Sequence, residues 1–196
     1  RHHTRKMLIL DGCVQPGMLP NINNATIRVF DALGIELISS NKAGCCGALR
    51  YHLNDQNGGL ADAKRNIDAW WPSIENGKDS VEAIVMNASG CGVMVKDYGH
   101  LLHDDPLYAS KAKCVSELCK DLSEIMPQFQ EQLVQKIGRD KKAEVVYHPP
   151  CTLQHGQQIR GKVEGLLESL GIGVNLCADS HLCCGSAGTY SVLQPI

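Results

Sequence analysis

The amino-acid sequence predicts an α/β protein made of two pseudo-symmetric, cysteine-rich βαβ-type domains with parallel sheets, the second of them incomplete. Short apolar runs alternate with amphipathic runs, the pattern of strands joined by helical crossovers. A cysteine, 31 further residues and a Cys-Cys-Gly triplet occur twice, at Cys13 with residues 45–47 and at Cys151 with residues 183–185. Every one of these positions is displaced by the same 138 residues. Such self-similarity indicates an internal duplication.

The first repeat reads as three strands and two helices in alternation. Residues 6–12, 35–39 and 81–89 are apolar runs that stop at turn residues, so they are predicted as buried strands. Residues 21–34 and 60–77 show helical spacing and end in or near glycine.

The second repeat begins in the same way and then stops. Residues 143–150 and 172–177 are predicted as strands, with a helix over 156–171 between them. By analogy with the first repeat, we expect a further helix, a third strand and a closing cysteine beyond Ile196. A helical, charge-rich connection separates the repeats, with residues 110–126 its clearest helix. The predicted divisions are a first domain over 1–101, a helical connection over 102–142 and an incomplete second domain over 143–196.

Composition excludes several classes of function. The chain has 196 residues, with 19 basic against 21 acidic ones, so no basic stripe for nucleic acid is indicated. No run approaches the roughly 18 apolar residues that cross a bilayer. The first ten residues lack the hydrophobic region of a signal peptide and resemble a linker cut from a longer chain. Ten cysteines without a secretion signal indicate a reducing compartment, where clustered cysteines more often bind metal or carry out redox chemistry than form disulfides.

The repeated cysteines follow the predicted carboxyl ends of strands. That edge is where open α/β sheets bind ligands. Thiolates suit zinc and iron–sulfur clusters, and the glycine beside each doublet lets the backbone bend and approach closely. If a helix follows, as after Gly47, its first amides would face the sulfurs. The spacing matches neither the Cys-x-x-Cys pairs of zinc sites nor the cysteine ladder of ferredoxins, so the residues alone predict a thiolate metal site of unresolved type.

Histidines near the cysteines of the second repeat are weaker candidates, since His148 and His155 flank Cys151 and His181 lies near Cys183. His148, His155 and His181 could each replace a missing ligand or hydrogen-bond to one, or could simply be loop histidines. Cys177 lies close by, but its counterpart at the 138-residue offset is Ser39, so packing is the preferred reading.

Four further residues have no assigned role. Cys114 and Cys119 lie five apart on a predicted helix and read as incidental thiols. Trp70 and Trp71 could pack in the core or meet a partner protein.

The glycine turns show neither dinucleotide nor Walker spacing, and no hydrolytic triad is indicated.

Longer strings of residues resemble a known family. Cysteine, about thirty residues, Cys-Cys-Gly and a later Cys-x-x-Cys is similar to the CCG cysteine-rich domain, which occurs twice in one of the subunits of heterodisulfide reductase and in one of those of anaerobic glycerol-3-phosphate dehydrogenase. Strings including "GCCGALRYHLN", "NASGCGVMVKDYGHLL" and "DSHLCCGSAGTYSVLQP" resemble, within this family, the C-terminal part of glycolate oxidase iron–sulfur subunits. The resemblance covers essentially the whole chain.

The resemblance implies an electron-transfer subunit with two cysteine-ligated centres. It implies Cys13, Cys45, Cys46 and Cys91 at the first centre, and Cys151, Cys183 and Cys184 with a ligand beyond Ile196 at the second. One departure is that Ala88 stands where the fuller pattern has the first cysteine of Cys-x-x-Cys. The five-cysteine set serves noncubane clusters in heterodisulfide reductase, whereas four cysteines can hold a 4Fe–4S cluster or tetrahedral zinc.

The resemblance also implies a setting for these centres. Electrons would come from FAD-binding subunits that oxidise glycolate to glyoxylate, and would leave toward a membrane quinone. The chain itself would bind no small-molecule substrate or nucleic acid, and would have no catalytic residue and no independent activity. It would lie in the cytoplasm, peripheral to the membrane through its complex. The alternatives are a zinc-binding or metal-free docking module of the same complex, and a thiol/disulfide catalytic subunit.

Overall fold

The computed structural model describes residues 2–75, 80–139, 143–183 and 185. The chain divides into two compact units, Arg1–Asp121 and Leu122–Ile196. Residues 102–142, predicted as a connection, contribute to both units. The predicted domain limits at 101 and 142 remain a prediction.

Four parallel strands form the sheet of the first unit, in the order β2-β1-β3-β4. They are β1 (Arg5–Ile9), β2 (Ile35–Ser39), β3 (Ile84–Met86) and β4 (Cys119–Asp121). β1 pairs with β2 along its full length, from Arg5 opposite Ile35 to Ile9 opposite Ser39. The predicted α/β class with a parallel sheet is confirmed.

Among the described residues of this unit, six helices accompany the sheet and cover both of its faces. They are α1 (Gln15–Met18), α2 (Pro20–Ala32), α3 (Ala48–His52), α4 (Gln56–Ile74), α5 (Ser89–Leu101) and α6 (Ala109–Leu118). Residues of α4, α5 and α6 form the core cluster with Leu8, Ile84 and Met86. Met7 and Ile9, which alternate with Leu8 along β1, are buried as well. Burial on both faces is typical of parallel sheets with helical crossovers.

The second unit repeats the parallel strand pair. Its elements are α7 (Leu122–Ile125), a 3₁₀ turn (Met126–Phe129), α8 (Gln130–Ile137), β5 (Ala143–Tyr147), a π-helical turn (Thr152–Gly156), α9 (Lys162–Ser169) and β6 (Ile172–Leu176). β5 pairs with β6 in parallel from Ala143 opposite Ile172 to Tyr147 opposite Leu176, as β1 pairs with β2. None of the described helices is long and apolar enough to cross a membrane.

Several element predictions are wrong in part. The strand predicted over 81–89 is found only at Ile84–Met86, and Ser89 already begins α5. The helix predicted over 110–126 is interrupted by β4, because pairing with β3 outweighs the helical spacing there. The helix predicted over 156–171 begins only at Lys162, because Gln158 and Gly161 have φ of 56° and 71°. The predicted burial of the second repeat's first strand also fails, since Val146 is 73% exposed.

Candidate metal centre

The parallel sheet brings four of the predicted cysteines to one edge. Cys13 follows β1, Cys45 and Cys46 follow β2, and Cys91 lies in the first turn of α5, directly after β3. Because these three strands are parallel neighbours, their carboxyl ends meet at the same edge. The predicted gathering of thiols in the first repeat is therefore present in the structure.

The four thiols contact one another in a chain. Cys13 hydrogen-bonds with Cys45, Cys45 with Cys46, and Cys46 with Cys91. Cys13 is exposed and Cys46 is buried, with Cys45 and Cys91 between these extremes. This series of thiols therefore begins at the exposed Cys13, passes through the buried Cys46 and ends at the half-buried Cys91.

Proximity and burial shift the acidity of these thiols. Burial, with the neighbouring Cys45 thiol adding to it, raises the pKa of Cys13 to about 11. The hydrogen bond that Cys46 gives to Cys91, together with burial, raises the pKa of Cys46 far above that of a free thiol. The same hydrogen bond lowers the pKa of Cys91, so this pair loses its first proton from Cys91. Four thiolates at one edge repel one another, and a bound cation would relieve that repulsion.

Backbone amides after the doublet point at its sulfurs, as the sequence predicted. Gly47 N–H donates to Cys45 Sγ at 3.4 Å, and Ala48 N–H donates to Cys46. Gly47 has φ of 90°, a conformation that favours glycine. A Cβ at Gly47 would lie 2.5 Å from the Gly59 carbonyl oxygen, so the turn packs directly against the first turn of α4.

Two buried polar side chains that the sequence did not single out hold this turn. Asn66 on α4 accepts from Gly44 N–H at 2.9 Å and donates to the Cys45 carbonyl at 2.8 Å. Tyr98 on α5 donates to the Cys46 carbonyl at 2.7 Å. The sequence does indicate that Asn66 is buried. It shares one helical face with the apolar residues Ala63, Ile67 and Trp70, at spacings of three and four residues.

The second repeat shows the same glycine-to-sulfur hydrogen bond within its described residues. Cys151 follows β5 by four residues, as Cys13 follows β1. Gly185 N–H donates to Cys183 Sγ at 3.4 Å, and Gly185 has φ of 75°. Cys184 and any ligand beyond Ile196 lie outside the described residues.

The candidate histidines contact backbone carbonyls. Nε2 of His148 donates to the Leu182 carbonyl at 3.1 Å, and Nε2 of His155 donates to the His181 carbonyl at 3.0 Å. A carbonyl only accepts, so the proton of each ring lies on Nε2. These bonds tie the π-helical turn and the strand end before it to the segment that precedes Cys183. His181 itself is exposed.

The remaining predicted candidates lie away from the thiol chain or at its margin. Cys114 is half-buried on α6, and Cys119 is buried in β4 with its Sγ 3.8 Å from the Gly92 carbonyl oxygen. Cys177 is half-buried just after β6. Trp70 is completely buried in the core cluster, so it packs in the core. The Lys111 ammonium lies 5.1 Å from the ring centroid of Trp71.

The thiols fit a metal group by their chemistry and number. Thiolates in sets of four bind zinc or iron–sulfur clusters, and four thiols lie in one chain of contacts here. Within the described residues, however, no three Cys, His, Asp or Glu side chains lie close enough together to bind a single metal ion.

Comparison with known proteins identifies relatives of the whole chain. The family described as "CCG: Cysteine-rich domain" matches residues 7–96 and 145–196, two segments that begin 138 residues apart. The "Glycolate oxidase iron-sulfur subunit" of Escherichia coli (strain K12) is 52% identical over 193 residues, covering 98% of this chain and 46% of that protein. The "Probable glycolate oxidase iron-sulfur subunit" of Bacillus subtilis (strain 168) is 28% identical over 97% of this chain and 41% of that protein. "Lactate utilization protein A" of Exiguobacterium sp. is 27% identical over 93% of this chain and 72% of that protein. The chain thus spans about half the length of the first two relatives.

Proposed function

Because this chain belongs to the cysteine-rich CCG domain family, we propose that it is the electron-transfer part of an iron–sulfur subunit in a glycolate-oxidising complex. The observation that carries the proposal is the chain of four thiols at the carboxyl edge of the first sheet. When bound there, an iron–sulfur cluster would accept and release single electrons.

The ligands of the first centre are Cys13, Cys45, Cys46 and Cys91. Those of the second centre include Cys151, Cys183 and Cys184. Ala88 is the residue that caps α5 before Cys91, so the first centre has four cysteines and matches a 4Fe–4S cluster rather than a five-cysteine noncubane one. Such a cluster takes one thiolate on each iron, which suits thiols ordered along an edge. Tetrahedral zinc instead requires four sulfurs about 2.3 Å from one ion.

The partners follow from the same assignment. Removal of two electrons and two protons from glycolate gives glyoxylate, and a flavin is suited to take them together. FAD on a partner subunit is therefore the electron donor, and a membrane quinone is the final acceptor. The protein lies in the cytoplasm and meets the membrane through its complex. Both glycolate oxidase relatives are named as subunits, which supports a complex of several subunits.

The test is the metal content of the full-length protein purified without oxygen. Iron, sulfide and zinc are measured per chain in the wild type, in the double variant Cys45→Ser/Cys46→Ser and in Cys114→Ser. The last variant is a matched control because Cys114 lies on α6, outside the thiol chain. Visible absorption and paramagnetic resonance of the reduced protein accompany the analysis. We expect the double variant to lose about one cluster's iron and sulfide, whereas Cys114→Ser loses none.

Two other results would overturn the proposal. Zinc that is lost from the double variant in place of iron would make the doublet a structural site in a docking module. Unchanged metal content in the double variant would show that the doublet binds no metal. If the isolated protein reduces disulfides and this activity needs the doublet, a thiol/disulfide catalytic role replaces the electron-transfer assignment.

A further inference from the structure

One peptide unit in the first Cys-Cys-Gly turn is held at both ends. The carbonyl of Cys46 accepts a hydrogen bond from the Tyr98 hydroxyl at 2.7 Å. The N–H of the same unit, which belongs to Gly47, donates to Cys45 Sγ at 3.4 Å. In a planar trans peptide the C=O and N–H point in opposite directions. The bond from Tyr98 therefore also fixes the direction in which the Gly47 N–H points.

Asn66 fixes the hydroxyl that makes this bond. Asn66 Nδ2 donates to the Tyr98 oxygen at 3.2 Å, so the Tyr98 proton is left for the Cys46 carbonyl. The same side chain accepts from Gly44 N–H and donates to the Cys45 carbonyl. Asn66 thus holds the chain on the amino-terminal side of the doublet while Tyr98 holds it on the other side.

Both side chains are completely buried, which strengthens these bonds. Asn66 and Tyr98 have no exposed area, and they belong to two helices that pack in the same core. A carbonyl oxygen only accepts, so the Tyr98 hydroxyl is the donor in its bond to Cys46. A buried carbonyl that lacks a hydrogen-bond donor destabilises the fold. The turn therefore strongly prefers the orientation in which Tyr98 donates to the Cys46 carbonyl.

We propose that Asn66 and Tyr98 are positioning residues that aim the Gly47 N–H at the Cys45 sulfur and thereby raise the reduction potential of the centre. The inference rests on the proposed function, because it requires an iron–sulfur centre at this edge. Hydrogen bonds to cluster sulfurs stabilise the reduced form, which carries one more negative charge. If the Gly47 N–H no longer pointed at Cys45 Sγ, the N–H···S bond would weaken and the reduction potential of the centre would fall.

The test compares three variants of the full-length protein. Tyr98→Phe removes only the hydroxyl. Tyr108→Phe is the matched control, because the Tyr108 hydroxyl donates to the exposed Asp68 at 2.7 Å, away from the turn. Val115→Ala is the control for packing, because Val115 is completely buried on α6 in the same core cluster. Iron content, the thermal midpoint, the reduction potential and the paramagnetic spectrum are measured for each.

We expect Tyr98→Phe to keep its iron, to show a lower reduction potential than the wild type and to change the spectrum of the reduced centre. Tyr108→Phe and Val115→Ala should keep the wild-type potential. If Tyr98→Phe instead loses iron while Val115→Ala keeps it at an equally lowered thermal midpoint, the positioning role is also supported.

An unchanged potential in iron-loaded Tyr98→Phe overturns the inference and leaves the proposed function intact. Equal changes in Tyr98→Phe and Val115→Ala overturn it as well, since general packing would then explain both. A wild-type protein without iron at the doublet refutes the proposed function first, and this inference falls with it.

Discussion

Replacing Gly47 by alanine should destabilise the first unit more than the same change at Gly34 does. Both glycines have positive φ, 90° at Gly47 and 78° at Gly34. A Cβ at Gly47 would lie 2.5 Å from the Gly59 carbonyl oxygen and 3.3 Å from the Asp62 Cβ, whereas a Cβ at Gly34 would meet nothing within 4 Å. The two sites therefore share a backbone penalty and differ in a steric one.

The expected loss of unfolding free energy follows from the backbone penalty and the steric penalty. A left-handed backbone costs an ordinary residue roughly 1–2 kcal/mol. An extra methyl group forced into close-packed surroundings adds about 1–3 kcal/mol. The clash at Gly47 is with backbone, which has less freedom to give way than a flexible side chain. Gly47→Ala should therefore lose about 2–5 kcal/mol of unfolding free energy, and Gly34→Ala about 1–2 kcal/mol.

The assay is urea unfolding of this chain in its metal-free form, followed by tryptophan fluorescence. Both tryptophans, Trp70 and Trp71, lie on α4 in the first unit, so the signal reports the unfolding of that unit. The midpoints and slopes of the two glycine variants are compared with those of the wild type. Equal losses at Gly47 and Gly34 would refute the close approach between the Cys-Cys-Gly turn and α4.

Two further substitutions test the helix cap and the buried thiol. Asp55 caps α4 through Gly58 N–H and pairs with Arg50, and the bond to Arg50 lowers the pKa of Asp55. A lowered pKa means that the charge stabilises the fold above the ordinary aspartate pKa of about 4 and loses this effect as the pH falls below it. Asp55→Asn should hence lower the thermal midpoint at pH 7, and the difference from the wild type should shrink as the pH falls below about 4; a pH-independent difference would contradict the pairing. Cys119→Ala should leave iron content unchanged and destabilise the first unit by roughly 1 kcal/mol in urea, because it empties a small buried volume; loss of iron would instead make Cys119 part of the centre.

Elements with strong local patterns could be predicted from the sequence. The strand over residues 35–39 is found at those residues, because an apolar run between a helix-ending glycine and a turn leaves little freedom. β4 could not be predicted, since its three residues include Lys120 and Asp121 and continue a run with helical spacing. Its strand conformation comes from pairing with β3, which is a tertiary interaction.

The candidate site divides in the same way. Repeated spacing and the doublets identify the cysteines of the first edge without any structure. The contribution of α4 could not be predicted, because "NGGLADAKR" at residues 57–65 reads as a glycine turn followed by a helix. In the structure both Gly58 and Gly59 lie inside α4, after the Asp55 cap. A Cβ at Gly59 would lie 3.0 Å from the Gly47 carbonyl oxygen, so the missing side chain at Gly59 lets the turn at Gly47 come close. A Cβ at Gly58 would instead meet the side chains of Arg50 and Asp55. The contact between the Cys-Cys-Gly turn and the first turn of α4 joins segments that are distant in sequence, so it becomes visible only in the folded structure.

The two Cys-Cys-Gly turns separate what the triplet determines from what the fold adds. Each glycine has positive φ and donates its N–H to the first sulfur of its doublet at 3.4 Å. Yet the loop from β6 to the second doublet is one residue longer than that from β2 to the first, and no atom of the described residues lies within 4 Å of a Cβ placed at Gly185. The glycine N–H therefore donates to the first sulfur of the doublet in both repeats, although only Gly47 is packed closely against described residues. Asn66 and Tyr98 add side-chain hydrogen bonds at the first turn. Under the proposed function, a difference in reduction potential between the two repeats should therefore originate outside the triplets.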